Sequence, residues 1–175
     1  LSVVIATGSP ISTGVVDDWF FLDQVHKLSK DTLGVTPAYV GKNIGTHVDI
    51  LLGMDIMKKF HVTVDLKNNR ISFSVDSPVN MFNNKWVGAE RIPFQDLVGT
   101  PIIPCLIDGK NVELYLDTGA KLTYLDSMLV KNRTALGIEK DFFYTIGEFE
   151  TEFYELPVRL GRVQMDLKCG KMPGL

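Results

Sequence analysis

The sequence predicts a mainly β chain with two or three short helices, and two observations support this fold class. Apolar and polar residues alternate with a period of two at 61–66 and 71–75, on either side of a polar turn at 67–70, which predicts a hairpin. Further short apolar runs are separated by turn residues such as Asp108-Gly109. Many short strands separated by turns are typical of a barrel or a sandwich.

The remaining elements follow from the same patterns. The residues from Trp19 to Leu28 fit near-helical spacing with acidic residues in the first turn, which predicts a helix over 17–29. A second short helix is predicted at 55–60 and a third at 126–131, where Asp126 is the expected N-cap. Further strands are predicted at 2–6, 91–94, 102–107, 112–116, 142–146, 151–160 and 163–168.

Composition excludes several functional classes. The 175 residues are 45% hydrophobic and carry a formal net charge of -3, which suits one ordinary core and gives no basic surface for nucleic acid. No apolar run approaches the roughly 20 residues that would span a membrane. The histidines lack ligand spacing, so we predict neither a metal nor a cofactor. Cys105 and Cys169 form no CxxC pair, and free cysteines favour a reducing compartment such as the cytoplasm.

The chemically informative segment is Leu116-Asp117-Thr118-Gly119-Ala120, where an apolar strand runs directly into an aspartate. An isolated buried carboxylate is costly, so its position at the end of an apolar strand indicates a role. The threonine hydroxyl can hydrogen-bond neighbouring backbone, and the glycine allows a second backbone or a ligand to approach closely. The alternative is an incidental Asp-Thr-Gly turn, since these are ordinary turn residues.

A second segment, Leu51-Leu52-Gly53, is followed by a short helical run and the alternating hairpin. With both segments, the sequence resembles the retropepsin-like aspartic protease family. The resemblance implies a small closed barrel of the retropepsin-like (acid protease) type. In that family an Asp-Thr-Gly loop carries the catalytic aspartate, and an apolar-apolar-Gly motif packs behind the loop. The resemblance implies that Asp117 is catalytic and that the motif at 51–53 lies behind its loop. It also implies that the loop is supported by Thr118, Gly119 and Ala120.

The resemblance extends to a flap and to the strands that lead into the active loop. Residues 101–116 are similar to the leading strands, and residues 142–156 are similar to the flap hairpin. Gly147 would then lie near the tip of the flap. The substrate-binding residues of the flap would be Ile146, Gly147 and Glu148.

The order of the motifs differs from the family, because Gly53 precedes Asp117 in this chain. Joining the end of the chain to its start restores the family order, which predicts one circularly permuted domain over 1–175. In this interpretation 1–75 correspond to the family's C-terminal half, 76–98 are a connecting segment, and 99–175 correspond to the N-terminal half. The alternative is a segment that straddles two tandem domains.

The resemblance implies an aspartic endopeptidase that acts on a peptide or protein substrate. Hydrolysis by this chemistry needs two carboxylates around one water, and the sequence holds one Asp-Thr-Gly. We therefore predict a homodimer in which each subunit contributes Asp117 across a two-fold axis. Three alternatives stay open: a weakly active or inactive binding and dimerisation module, a β-barrel ligand binder with an incidental Asp-Thr-Gly turn, and a two-lobed pepsin-like chain. In the last, Ala6-Thr7-Gly8 would be a degenerate second loop with Ala6 in place of an aspartate.

Overall fold

The computed structural model describes residues 1–76, 92–97, 99–144 and 146–172. In this part of the chain the fold is mainly β, as predicted, with three short helices. The strands form four sheets, and none of these sheets closes on itself within the described residues, so the predicted closed barrel is not seen.

The described residues fall into two compact units. Unit one consists of 1–76, 95–97, 99–101 and 115–119, and unit two consists of 92–94, 102–114, 120–144 and 146–172. The segment that carries Asp117 therefore belongs with the first part of the chain. Of the predicted connecting segment 76–98, residues 77–91 and 98 lie outside the described residues.

Unit one is built around a three-stranded sheet with the order β1-β5-β2, in which β1 is parallel to the central strand and β2 is antiparallel to it. The central strand is wholly buried, and Ile50, Leu52 and Ile56 form the middle of the core. The elements of this unit are β1 Val3–Ile5, β2 Thr13–Gly14, β3 Asp18–Phe21, β4 Gln24–Lys27, α1 Pro37–Ile44, β5 Ile50–Leu52, α2 Met54–Met57, β6 His61–Asp65, β7 Arg70–Ser74 and β8 Gln95–Leu97.

The predicted helix over 17–29 is wrong, because this segment is the β3–β4 hairpin. Leu22 and Asp23 both have positive φ, 49° and 59°, which is the backbone of a tight two-residue hairpin turn. Trp19 and Phe21 point to the core and stack at 4.5 Å, whereas Phe20 between them is exposed. Burial therefore alternates along the strand, and core packing overrides the near-helical spacing of the apolar residues.

Helix α1 was not predicted, although its ends carry clear signals. The Thr36 hydroxyl accepts a hydrogen bond from the Tyr39 N–H, and Pro37 occupies the first helical position. Gly45 ends the helix with a φ of 71°, which favours glycine. The predicted helix at 55–60 is confirmed as α2, and the hairpin at 61–75 is confirmed as β6–β7.

Unit two contains a sheet with the strand order β10-β9-β13-β14-β11, to which β12 is added beside β13. Its core includes Ile107, Leu156 and Cys169, all fully buried. Residues 92–94 were predicted as strand and are not strand, and Arg91 lies outside the described residues. The elements are β9 Thr100–Ile107, β10 Lys110–Tyr115, β11 Thr123–Leu125, α3 Ser127–Val130, β12 Gly137–Phe143, β13 Gly147–Leu160 and β14 Val163–Lys171.

Two local predictions in unit two are confirmed. The Asp126 carboxylate accepts a hydrogen bond from the Met128 N–H at 2.8 Å and caps α3. Strands β12 and β13 form a hairpin in which Phe143 pairs with Gly147, and Gly147 has a φ of 85° that favours glycine. The strand predicted at 142–146 is wrong in its bounds, because β12 ends at Phe143 and Tyr144 and Ile146 lie in the turn. The role of this hairpin as a flap stays a prediction. None of the described helices is long and apolar enough to cross a membrane.

An ion-pair cluster in unit two should make the stability of the protein vary with pH in the acidic range. The Glu139 carboxylate binds Lys121 Nζ at 2.8 Å and also pairs with Lys168, and these contacts lower the pKa of Glu139 from 4.5 to about 2. Because the folded-state pKa is depressed, this stabilisation is present above about pH 4.5 and is lost as the pH falls towards 2. We expect Glu139→Gln to lower the free energy of unfolding at pH 7 and to match the wild type near pH 2.

Urea denaturation at several pH values would measure this difference. Glu113→Gln is a matched control, since Glu113 is exposed on β10 and has no ion pair among the described residues. The prediction fails if Glu139→Gln and Glu113→Gln give the same pH profile.

Candidate active-site loops

Two loops of unit one meet through their threonine side chains. Strand β1 runs into Ala6-Thr7-Gly8, and β10 runs into Asp117-Thr118-Gly119. The Thr7 hydroxyl donates to the Leu116 carbonyl at 2.5 Å, and the Thr118 hydroxyl donates to the Ile5 carbonyl at 2.8 Å. Each threonine therefore binds the carbonyl that lies two residues before the other threonine.

The backbone N–H groups complete this arrangement. The Thr118 N–H donates to the Thr7 hydroxyl at 2.9 Å, and the Thr7 N–H donates to the Thr118 hydroxyl at 3.2 Å. Each hydroxyl thus donates one hydrogen bond and accepts one from the opposite loop. The four bonds are reciprocal, so the two loops are related by a local two-fold axis.

This symmetry makes Ala6 the counterpart of Asp117. Both residues immediately precede the threonine of their loop, and both follow an apolar strand end. Ala6 is 7% exposed, and its N–H donates to the Leu52 carbonyl at 3.0 Å. The pair of loops therefore presents one carboxylate, on one side of the axis, and a methyl group on the other.

The Asp117 carboxylate lies against the opposite loop. Its Oδ1 accepts a hydrogen bond from the Gly119 N–H at 2.8 Å. A Cβ atom placed on Gly8 would lie 2.3 Å from Asp117 Cγ and 2.4 Å from Oδ2, closer than non-bonded atoms can approach. The carboxylate therefore occupies the space over the bare Cα of Gly8, and any side chain at this position would have to displace it.

The Leu51-Leu52-Gly53 motif lies behind the Ala6 loop. A Cβ atom on Gly53 would lie 2.8 Å from the Ser9 carbonyl oxygen, and the Met54 N–H donates to the same oxygen at 2.8 Å. The Ser12 hydroxyl accepts from the Gly53 N–H and donates to the Asp55 carboxylate. The sequence resemblance implied that this motif supports the loop of Asp117, whereas these contacts support the loop of Ala6.

The other predicted site residues are distributed over both units. Thr118 and Gly119 contact Asp117 or its partner loop, as described above. The remaining four belong to unit two, so the contacts within unit one that hold Asp117 do not include them; they are Ala120, Ile146, Gly147 and Glu148. Within the described parts of the chain, no group of three or more histidine, cysteine, aspartate or glutamate side chains could hold a metal ion.

Sequence reasoning missed the role of Thr7. The prediction was that the loop of Asp117 would meet its own copy in a second subunit, whereas Thr118 here binds Thr7 of the same chain. The signal was present in the sequence, because Ala6-Thr7-Gly8 ends an apolar strand with the same Thr-Gly pair as Asp117-Thr118-Gly119. The structure shows that these two loops are hydrogen-bonded to each other within one chain.

Removal of either threonine hydroxyl should weaken the joint between the loops. We expect Thr7→Val and Thr118→Val each to lower the free energy of unfolding by about 1–3 kcal/mol, since each loses two hydrogen bonds and leaves an N–H without its acceptor. The double variant should cost clearly less than the sum, because both substitutions remove parts of one network. Urea denaturation of the wild type, the two single variants and the double variant gives the four free energies of this double-mutant cycle.

The corresponding Thr→Ser variants keep the hydroxyl groups and serve as controls. Strictly additive effects of the two valine substitutions would show that the hydroxyls do not act together.

A methyl group on Gly8 should collide with Asp117. We expect Gly8→Ala to cost about 1–2 kcal/mol, because the carboxylate must turn away and give up its hydrogen bond from Gly119. In an Asp117→Ala background the same substitution should cost less than about 0.5 kcal/mol, since nothing then fills that space. If Gly8→Ala lowers the free energy of unfolding equally in the wild type and in the Asp117→Ala background, the methyl group collides with something other than the Asp117 carboxylate.

Comparison with known proteins adds no assignment for this chain. No family model matches the sequence, and no curated protein or solved structure matches it.

Proposed function

We propose that this chain is a retropepsin-like peptide-binding module that holds half of an aspartic-peptidase dyad and, as a single chain, hydrolyses peptides weakly or not at all. The observation that carries the proposal is the reciprocal hydrogen bonding of Thr7 and Thr118. It aligns two equivalent loops in one chain, with Asp117 on one loop and Ala6 on the other.

The chemistry of this class of site depends on two carboxyl groups. Two such groups at close range hold one proton between them, because like charges at that distance do not ionise together. The ionised group then withdraws a proton from a water, and the protonated group donates to the oxyanion that forms on the peptide carbonyl. Each role needs its own carboxyl group.

Asp117 alone can perform only one of these roles at a time. The methyl group of Ala6 neither accepts nor donates a proton, so nothing on that side of the axis supports the developing oxyanion. Loss of one general acid or base typically reduces the rate by about 10²–10⁴-fold. Binding of an extended peptide does not need the second carboxyl group and is compatible with the pair as it stands.

The edge of the β12–β13 hairpin supports the choice of an extended polypeptide as ligand. Strand β12 pairs with β13 and, among the described residues, with no other strand. At this outer edge the Lys140 carbonyl accepts from Lys121 Nζ and the Phe142 N–H donates to the Asp141 carboxylate, so a peptide in extended conformation would pair with the edge by displacing these side-chain contacts. In this proposal the hairpin acts as the flap, with Ile146, Gly147 and Glu148 at its turn.

The second candidate is the homodimeric endopeptidase predicted from sequence, in which two copies of Asp117 form the dyad. Thr118 would then have to exchange Thr7 for the Thr118 of a second copy. The loop of Thr118 offers the hydroxyl, N–H and carbonyl groups that such a symmetric contact needs, but the exchange leaves Thr7 of each copy without its present partners. This candidate requires that hydrolysis rise with the square of protein concentration at low concentration.

The decisive experiment restores the second carboxyl group. We expect Ala6→Asp to raise the turnover of a mixed peptide library at pH 4–6 by at least about 100-fold over the wild type, since it supplies the missing acid or base. The rate of the variant should be proportional to protein concentration, with the molar mass of a monomer by light scattering. Cleavage products are identified by mass spectrometry.

Ala6→Asn is the matched control, because it adds a side chain of the same size without an ionisable group. Asp117→Asn in the Ala6→Asp background should return turnover to the wild-type level. Equal turnover of Ala6→Asp and Ala6→Asn would contradict the proposal. Substantial wild-type activity that depends on dimer formation and is lost in Asp117→Asn would establish the homodimeric enzyme instead.

A further inference from the structure

The side of the axis that carries Ala6 retains the hydrogen-bond donor of a carboxyl site. On the Asp117 side, the N–H of Gly119 donates to the carboxylate two residues earlier at 2.8 Å. The equivalent donor on the other loop is the N–H of Gly8. This N–H has no hydrogen-bond acceptor among the described residues. In the same loop, the next N–H along the chain, that of Ser9, donates to the Ala6 carbonyl at 3.0 Å.

Space for a carboxyl group is present on the same side. On one side of the axis, the Asp117 carboxylate fills the region in front of the Gly8 Cα. In the equivalent region in front of the Gly119 Cα, a Cβ atom would meet, among the described residues other than its chain neighbours, only Asp117, with Oδ1 at 3.2 Å and Cγ at 4.0 Å. Within the described residues, the region that the symmetry reserves for a side chain at position 6 therefore holds no other side chain, and it is bordered by the Asp117 carboxylate.

We propose that the region between Gly8, Gly119 and Asp117 binds the carboxyl group of a small monocarboxylic acid or of a peptide, which takes the place of the side chain that Ala6 lacks. This inference rests on the proposed function, since it assumes that the two loops form one paired site. The Gly8 N–H binds one oxygen of the ligand. A single proton shared with Asp117 joins the two carboxyl groups and removes the repulsion between them.

Formate is the probe for the free acid, because its three non-hydrogen atoms fit the space of an aspartate carboxyl group. A titration at pH 4.5, followed by ¹⁵N amide chemical shifts, should give saturable shifts at Gly8 and Gly119. Half-saturation is expected in roughly the millimolar range, the best that a ligand of three heavy atoms reaches. Chloride at the same ionic strength should leave both amides unshifted.

Two variants test the location of the site. Ala6→Asn fills the open region with its own side chain and should abolish the formate-dependent shifts, whereas Thr63→Val, a substitution on β6 away from the loops, should leave them intact. Persistent shifts at Gly8 in Ala6→Asn, or no saturable shift in the wild type, would overturn the inference.

A pair of short peptides distinguishes the two sources of the carboxyl group. Peptides of identical sequence with a free C-terminal carboxyl group or a C-terminal amide are titrated in the same way. At least tenfold tighter binding of the free acid, lost in Ala6→Asn, identifies a peptide terminus as a ligand; binding of formate with equal affinity for the two peptides identifies the free acid. These measurements detect binding alone, so they are independent of whether Ala6→Asp gains hydrolytic activity.

Discussion

The hydroxyl groups of Thr7 and Thr118 hold together two loops that lie 111 residues apart in the sequence. Each hydroxyl satisfies an N–H and a carbonyl of the opposite loop, so four backbone groups at two strand ends find partners in one small network. The positions of Ala6, Gly8, Asp117 and Gly119 all follow from this network. Gly8 lies where the Asp117 side chain of the opposite loop approaches, and the symmetry assigns Ala6 as the counterpart of Asp117.

Much of the fold was predictable wherever local patterns coincide with burial. The β6–β7 hairpin follows from a period of two on both sides of a polar turn, and the cap of α3 follows from Asp126. The helix predicted at 17–29 is wrong because its apolar residues fit both near-helical spacing and strand alternation. Only the packing of Trp19 and Phe21 in the core decides between the two. Helix α1 was missed although Pro37 and Gly45 mark its ends, since its apolar face is short.

The candidate site was predictable only in part. Asp117 and its Thr-Gly context are a local signal, and the sequence alone identified them. The shared Thr-Gly pair of Ala6-Thr7-Gly8 marks a candidate second loop in the sequence, but it does not show which loop pairs with Asp117. That pairing is set by contacts across more than a hundred residues, and the hydrogen bonds of the two threonines identify it.

The large sequence separation between the two threonines also determines when the pair of loops can assemble. Closing a chain segment of that length is entropically costly, so contacts of this kind form after local hairpins and helices are in place. The β6–β7 hairpin and α1 can form early, from neighbouring residues alone. Alignment of Asp117 with the Ala6 loop must wait for both ends of the intervening chain. Newly synthesised protein would therefore bring Asp117 and Ala6 together only after the local elements of this unit have formed.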